Sequence, residues 1–151
     1  MVKGEPAVTQ NIIQIDNPVL LAEIDSLLRE GHEVEFTPTG NSMLPFIESG
    51  RDSVTLIRPN NVEVGDILLC RIDSEHFVLH RLIAINADRL TLMGDGNLQG
   101  TEQCSRADVI GKVKAIRRPD GSIRQPAKNL WWFRLLPIRR WLLYIHRRLK
   151  K

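Results

Sequence analysis

The feature that most constrains this chain is a series of short apolar segments broken at close intervals by turn-forming residues. HEVEFTPT alternates polar and apolar side chains, the period of a strand with one buried face. DSVTLIRP, ILLCRI, FVLHRLIAI, RLTLMG and VIGKVKAI follow, separated by Gly-, Asp- and Asn-containing stretches. Segments of this length are too short for helices and are cut by residues that favour turns. They predict an antiparallel β domain, barrel-like or sandwiched.

Two helices flank this region. In NPVLLAEIDSLLREG, Asn17 can cap, Pro18 suits the first helical position and Gly31 can end the helix. Val19, Leu20, Ile24, Leu27 and Leu28 are read as its core-facing stripe. At the other end, Ile138, Trp141, Leu142, Ile145 and Leu149 fall on one helical face, with Arg139, Arg140, Arg147 and Arg148 largely away from it. The chain of 151 residues thus divides into an N-terminal extension with a short helix (1–34), a β domain (35–125) and a basic aromatic tail (126–151).

Charge follows the same division. Residues 1–125 carry 13 Lys and Arg against 18 Asp and Glu, a net of −5, while residues 126–151 carry eight basic residues and no acid. The basic character of the chain therefore resides in its tail. Apolar residues on one face with arginines on the other fit a helix lying in a lipid interface, and residues 131–151 could meet an anionic membrane surface. Packing on the protein's own acidic body is the alternative. The basic residues join no recognisable recognition module, so no nucleic acid is expected. The polar start MVKGEPAVTQ has no secretory apolar core, and no apolar run is long enough to span a bilayer. The expected location is cytoplasmic, with peripheral attachment to the inner membrane face through the tail. Cys70 and Cys104 are too few for a disulfide framework and are read as free thiols. His32, His76 and His146 lack metal-ligand spacing with either cysteine, so no metal or other cofactor is expected.

Three residues could do chemistry. Ser42 lies in GNSMLP, where Gly40 permits unusual backbone and Pro45 prevents regular pairing. A serine on a rigid turn can expose its hydroxyl while backbone N–H groups face a developing oxyanion. His80 sits in an apolar strand with Val78, Leu82 and Ala84 on its face, where it is either a satisfied core histidine or a base for a serine. Arg81 falls on the opposite face and is read as structural or surface-facing. Asp95, in MGDGN, could orient the imidazole, although Asp-Gly is also a hairpin turn.

Taken together, NSMLPFIESGRDSV, VGDILLCRI, HRLIAI and LMGDGN resemble the ordered boxes of the signal peptidase I family and its relatives, the S24/S26 serine peptidases. Ser42, Met43 and Pro45 match the nucleophile box. Gly50 and Asp52 approximate a Gly-Asp pair with Arg51 inserted, and Gly65 and Asp66 match a second one. The likeness spans roughly residues 35–116. Leu79-His80-Arg81-Leu82 is similar to the histidine-base branch, and no lysine lies between Lys3 and Lys112. The resemblance implies a mainly β peptidase fold and a Ser42–His80 mechanism acting on an extended leader or signal-type peptide. It also implies substrate or oxyanion contacts around Asn41, Met43 and Pro45. Asp95 is the first choice for the acidic third member, followed by Glu102 and Asp108. A non-catalytic peptide-binding or regulatory module of the same fold is the alternative function.

Overall fold

A computed structural model describes residues 12–13, 18–40, 42–97, 100–128 and 136–149. The fold is mainly β. The short strand β1 (Ile12–Ile13) precedes helix α1 (Pro18–Arg29). Then come β2 (Val34–Pro38), β3 (Ser53–Ile57), β4 (Ile67–Arg71), β5 (Phe77–Asn86), β6 (Arg89–Met93), β7 (Glu102–Ser105), β8 (Val109–Arg117) and β9 (Ile123–Arg124). Helix α2 (Leu136–Leu149) closes the described chain.

The strands lie in the order β1-β2-β3-β8-β4-β5-β6-β7, with β9 beside β8. All pairs are antiparallel except the two-residue β1–β2 contact. A single 3₁₀ turn (Arg106–Asp108) carries the chain from β7 back to β8, which pairs with β4. The stretch from β4 to β8 therefore curls round on itself. The curl encloses an apolar cluster that includes Leu68, Leu82, Leu90, Leu92 and Val109. A second and larger cluster fills the other face. There α1 packs Leu21, Ile24 and Leu28 against Phe36, Val54, Leu56 and Val113. The helix approaches so closely that a Cβ on Gly111 would stand 2.8 Å from a Leu28 methyl.

The buried stripe of α1 is Leu21, Ile24 and Leu28, with Leu20 packed beside it; Ile24, Leu28 and Leu20 belong to the stripe read from the sequence, and Leu21 does not. Val19 is 78% exposed and Leu27 sits at the margin. Spacings of three and four put Leu21 and Leu28 beside Ile24, whereas Val19 falls well round the helix from it. Gly31, at φ +90°, ends the helix as expected, and the His32 N–H bonds back to Leu27 O at 3.0 Å. Asn17, the expected cap, lies outside the described residues. Strands β1, β7 and β9 were not anticipated, since EQCS sits in what reads as one long loop, DGNLQGTEQC.

Candidate functional site

Buried charge is confined to a few places. Among the described residues, the buried polar or charged side chains are Asp52, Asp66, His80, Arg81 and Asp95. All five fall inside the four sequence boxes. Their environments separate them into two kinds.

Three carboxylates and one guanidinium hold loops together. Asp52 Oδ2 accepts the Glu48 N–H at 3.0 Å and closes the turn after Ser42, while Arg51 caps the same carboxylate. Asp66 Oδ2 accepts the Glu63 N–H at 2.8 Å and fixes the turn before β4. Asp95 receives both Arg81 Nε at 2.7 Å and Nη2 at 2.6 Å, a fork-to-fork pair. Arg81 also donates from Nη1 to Gly65 O and Ala127 O, both at 2.8 Å, and its guanidinium stacks over the Phe46 ring. Arg81 thus ties β5, the loop after β6, the turn before β4 and the segment leading to α2 into one knot. It is structural, and it is fully buried.

His80 has a different partner. Its Nδ1 lies 2.8 Å from Glu102 Oε2. The imidazole is buried, while the Glu102 side chain remains 28% exposed. Register explains the meeting. Leu82 pairs with Leu92, and Leu92 pairs with Glu102, so all three share the enclosed face with His80, two residues from Leu82. The carboxylate on the imidazole is therefore Glu102, the second choice from sequence, and the first choice, Asp95, is engaged by Arg81. Asp108 is also engaged elsewhere, because its Oδ2 accepts from both N–H and Oγ of Ser105 at 2.9 Å. No local pattern marked Glu102, since its strand is only four residues long and follows a Gly-containing loop.

Ser42 heads the turn 42–47 and is half-buried. Its carbonyl accepts the Gly96 N–H at 2.7 Å, which docks the turn on the loop carrying Asp95. A Cβ on Gly94 would stand 2.4 Å from the same carbonyl, so only glycine allows this approach. Met43 is buried in the larger core, and its carbonyl accepts from the Phe46 and Ile47 N–H groups. The Leu44–Pro45 peptide is cis. Asn41 lies outside the described residues. A narrow cleft borders Ser42, lined by Thr39, Met43, Ile47 and Leu79 among others. A wider, open depression near Asn86 and Ser105 lies at the far end of β6 from Gly94.

Cys70 and Cys104 share the enclosed cluster as free thiols in contact. The hydrogen bond to Cys104, with burial, pushes the Cys70 thiol far above the usual range. Among the described residues no group of three or more His, Cys, Asp or Glu is placed to hold a metal ion. No described helix is long and apolar enough to cross a membrane. No family model matches the chain, and no curated protein matches it.

Proposed function

We propose that the protein is a serine endopeptidase of the signal-peptidase-like type, with Ser42 as nucleophile, His80 as general base and Glu102 holding the imidazole. The observation that carries this reading is the 2.8 Å contact between His80 Nδ1 and Glu102. With Glu102 ionised, Nδ1 carries the ring proton and donates it to the carboxylate, which leaves Nε2 as an acceptor. A buried histidine needs only a satisfied Nδ1 to be structural. A carboxylate that remains partly open to water is instead suited to stabilising an imidazolium formed during a reaction.

The position of the Ser42 turn supports the same reading. Continuing the β5–β6 pairing one step past Arg81↔Met93 sets Gly94 opposite His80. Directly opposed residues send their Cβ atoms to one face. The Ser42 carbonyl would lie only 2.4 Å from a Cβ on Gly94, so the turn rests against the end of β6, the strand that pairs with the one carrying His80.

In this mechanism Nε2 takes the Ser42 hydroxyl proton as Oγ attacks a peptide carbonyl. Backbone N–H groups at the head of the turn receive the oxyanion. The imidazolium then protonates the leaving amine, an ester remains on Ser42, and His80 activates the water that hydrolyses it. The cleft beside Ser42 suits a small side chain of an extended peptide laid along the end of β2.

Labelling by a fluorophosphonate probe tests the assignment. The wild-type chain should react, and Ser42→Ala and His80→Ala should each lose at least about 10³-fold in rate. Undiminished labelling of Ser42→Ala would remove the serine from the mechanism.

A further inference from the structure

Helix α2 meets the body through the face opposite its apolar stripe. Leu143 is buried and packs against Leu44 and Phe46, both in the Ser42 turn. The apolar stripe read from the sequence is open rather than packed on the body. Trp141 is 67% exposed, Ile145 48% and Leu149 81%, with Leu142 and Tyr144 also exposed. A helix turns about 100° per residue, which places Trp141 and Ile145 roughly 160° round from Leu143. Arg147, about 40° away by the same geometry, lies on the docked side. Among the described side chains, the helix therefore anchors through Leu143 on its basic side and turns Trp141, Ile145 and Leu149 outward.

The body pairs with Lys128 of the basic tail, through Glu63. The part of the chain up to residue 125 is net acidic, yet among the described residues no ion pair joins Arg147 or Arg148 to it. Arg148 instead stacks over Tyr144 on its own helix. An outward apolar stripe with Trp and Tyr, on a segment of eight basic residues and no acid, has the complement of an anionic bilayer surface. The acidic body would be repelled by the same surface, so charge also sets the orientation.

We infer that α2 seats this protein on anionic membranes, and that the Leu143 contact holds the Ser42 turn at the lipid surface beneath the helix. The first half stands on the helix alone. The second rests on the peptidase reading and names its substrate class, extended peptide segments tethered at a membrane.

Vesicle flotation with the full chain tests the first half. Vesicles of phosphatidylcholine with about one-third phosphatidylglycerol should carry the protein up with a blue shift in tryptophan emission, and phosphatidylcholine alone should carry much less. Trp141→Glu with Ile145→Glu should weaken flotation at least about tenfold, with the unfolding midpoint of the body unchanged. Equal flotation by that variant, or none by the wild type, would overturn the inference. So would a concentration-dependent dimer abolished by the same substitutions, which would assign the stripe to a second copy. For the second half, Leu143→Asp should float within about twofold of wild type but lose its preference for a lipid-anchored peptide over the same peptide free in solution. A retained preference would overturn the placement of the site. Cleavage of neither peptide, with flotation intact, would count against the peptidase reading and leave the membrane assignment standing.

Discussion

His80 and Arg81 are neighbours on β5, point to opposite faces, and each meets a carboxylate, yet the two pairs sit in different surroundings. Arg81 and Asp95 are both sealed, with guanidinium N–H groups directed at the carboxylate and at loop carbonyls and the guanidinium face over Phe46. Neither member of such a pair can be removed alone without leaving a lone buried charge behind. His80 is also sealed, but Glu102 reaches it from the edge strand β7 and keeps part of its surface in water. One pair ties loops together in the interior, and the other joins a buried imidazole to a carboxylate that reaches water. Equal hydrogen-bond lengths would not distinguish them; exposure of the acidic partner does.

The largest effect should come from breaking the sealed pair. Asp95→Asn leaves the Arg81 charge buried without its counter-charge and should cost about 3–5 kcal/mol of folding stability. Urea unfolding measures this directly. Replacing both partners, Arg81→Met with Asp95→Leu, should recover a large part of the loss, since no uncompensated charge remains. A cost under about 1 kcal/mol for Asp95→Asn would mean that the pair is not the fixed member of the comparison.

A smaller effect, and of a different kind, is expected at the open pair. Glu102→Gln keeps the size and a hydrogen-bond acceptor but removes the charge that stabilises an imidazolium. Probe labelling should slow by about a hundredfold. Folding stability should shift by no more than about 1 kcal/mol, because Glu102 is partly exposed. If Glu102→Gln unfolded the protein and left the labelling rate of the folded fraction unchanged, the roles of the two carboxylates would be reversed.

Much of this frame is legible in the residues themselves. The alternating segments and their turn residues set the antiparallel domain, and the Pro18 and Gly31 signals bracket α1 to within two residues. Ser42 and His80 stand out because a serine on a Gly- and Pro-bounded turn and a histidine in an apolar strand are both unusual placements. The third group was harder to read, because the pairing that selects it is not local. Glu102 reaches His80 across β6, and only the Leu82↔Leu92 and Leu92↔Glu102 registers bring it there. Asp95 is nearer in sequence to a recognisable box, but a neighbouring arginine on the opposite face claims it. The outward stripe of α2 is the face read from the sequence, whereas its contact with the body through Leu143 was not read, for a related reason. Helical periodicity gives a face, and the surface already occupied by the body decides which way that face turns.

The two thiols offer the finest test of the comparison. Cys104 is two residues beyond Glu102 on β7, and both side chains point into the curl. If Glu102 matters through its carboxylate, then loosening the packing beneath the same strand should matter little. Cys104→Ala should cost about 1 kcal/mol of stability for the lost buried sulfur. It should leave the labelling rate within about twofold, since β7 is held to β6 by its ladder. Native Cys70 should alkylate slowly near neutral pH, because the bond it donates to Cys104, with burial, keeps it a thiol. Its raised ionisation means that the stability it contributes is present below the ordinary thiol range and is lost as pH climbs above it. If Cys104→Ala slowed labelling as much as Glu102→Gln does, the contribution of Glu102 would lie in where β7 sits, and the contrast between an open and a sealed carboxylate would reduce to one of packing.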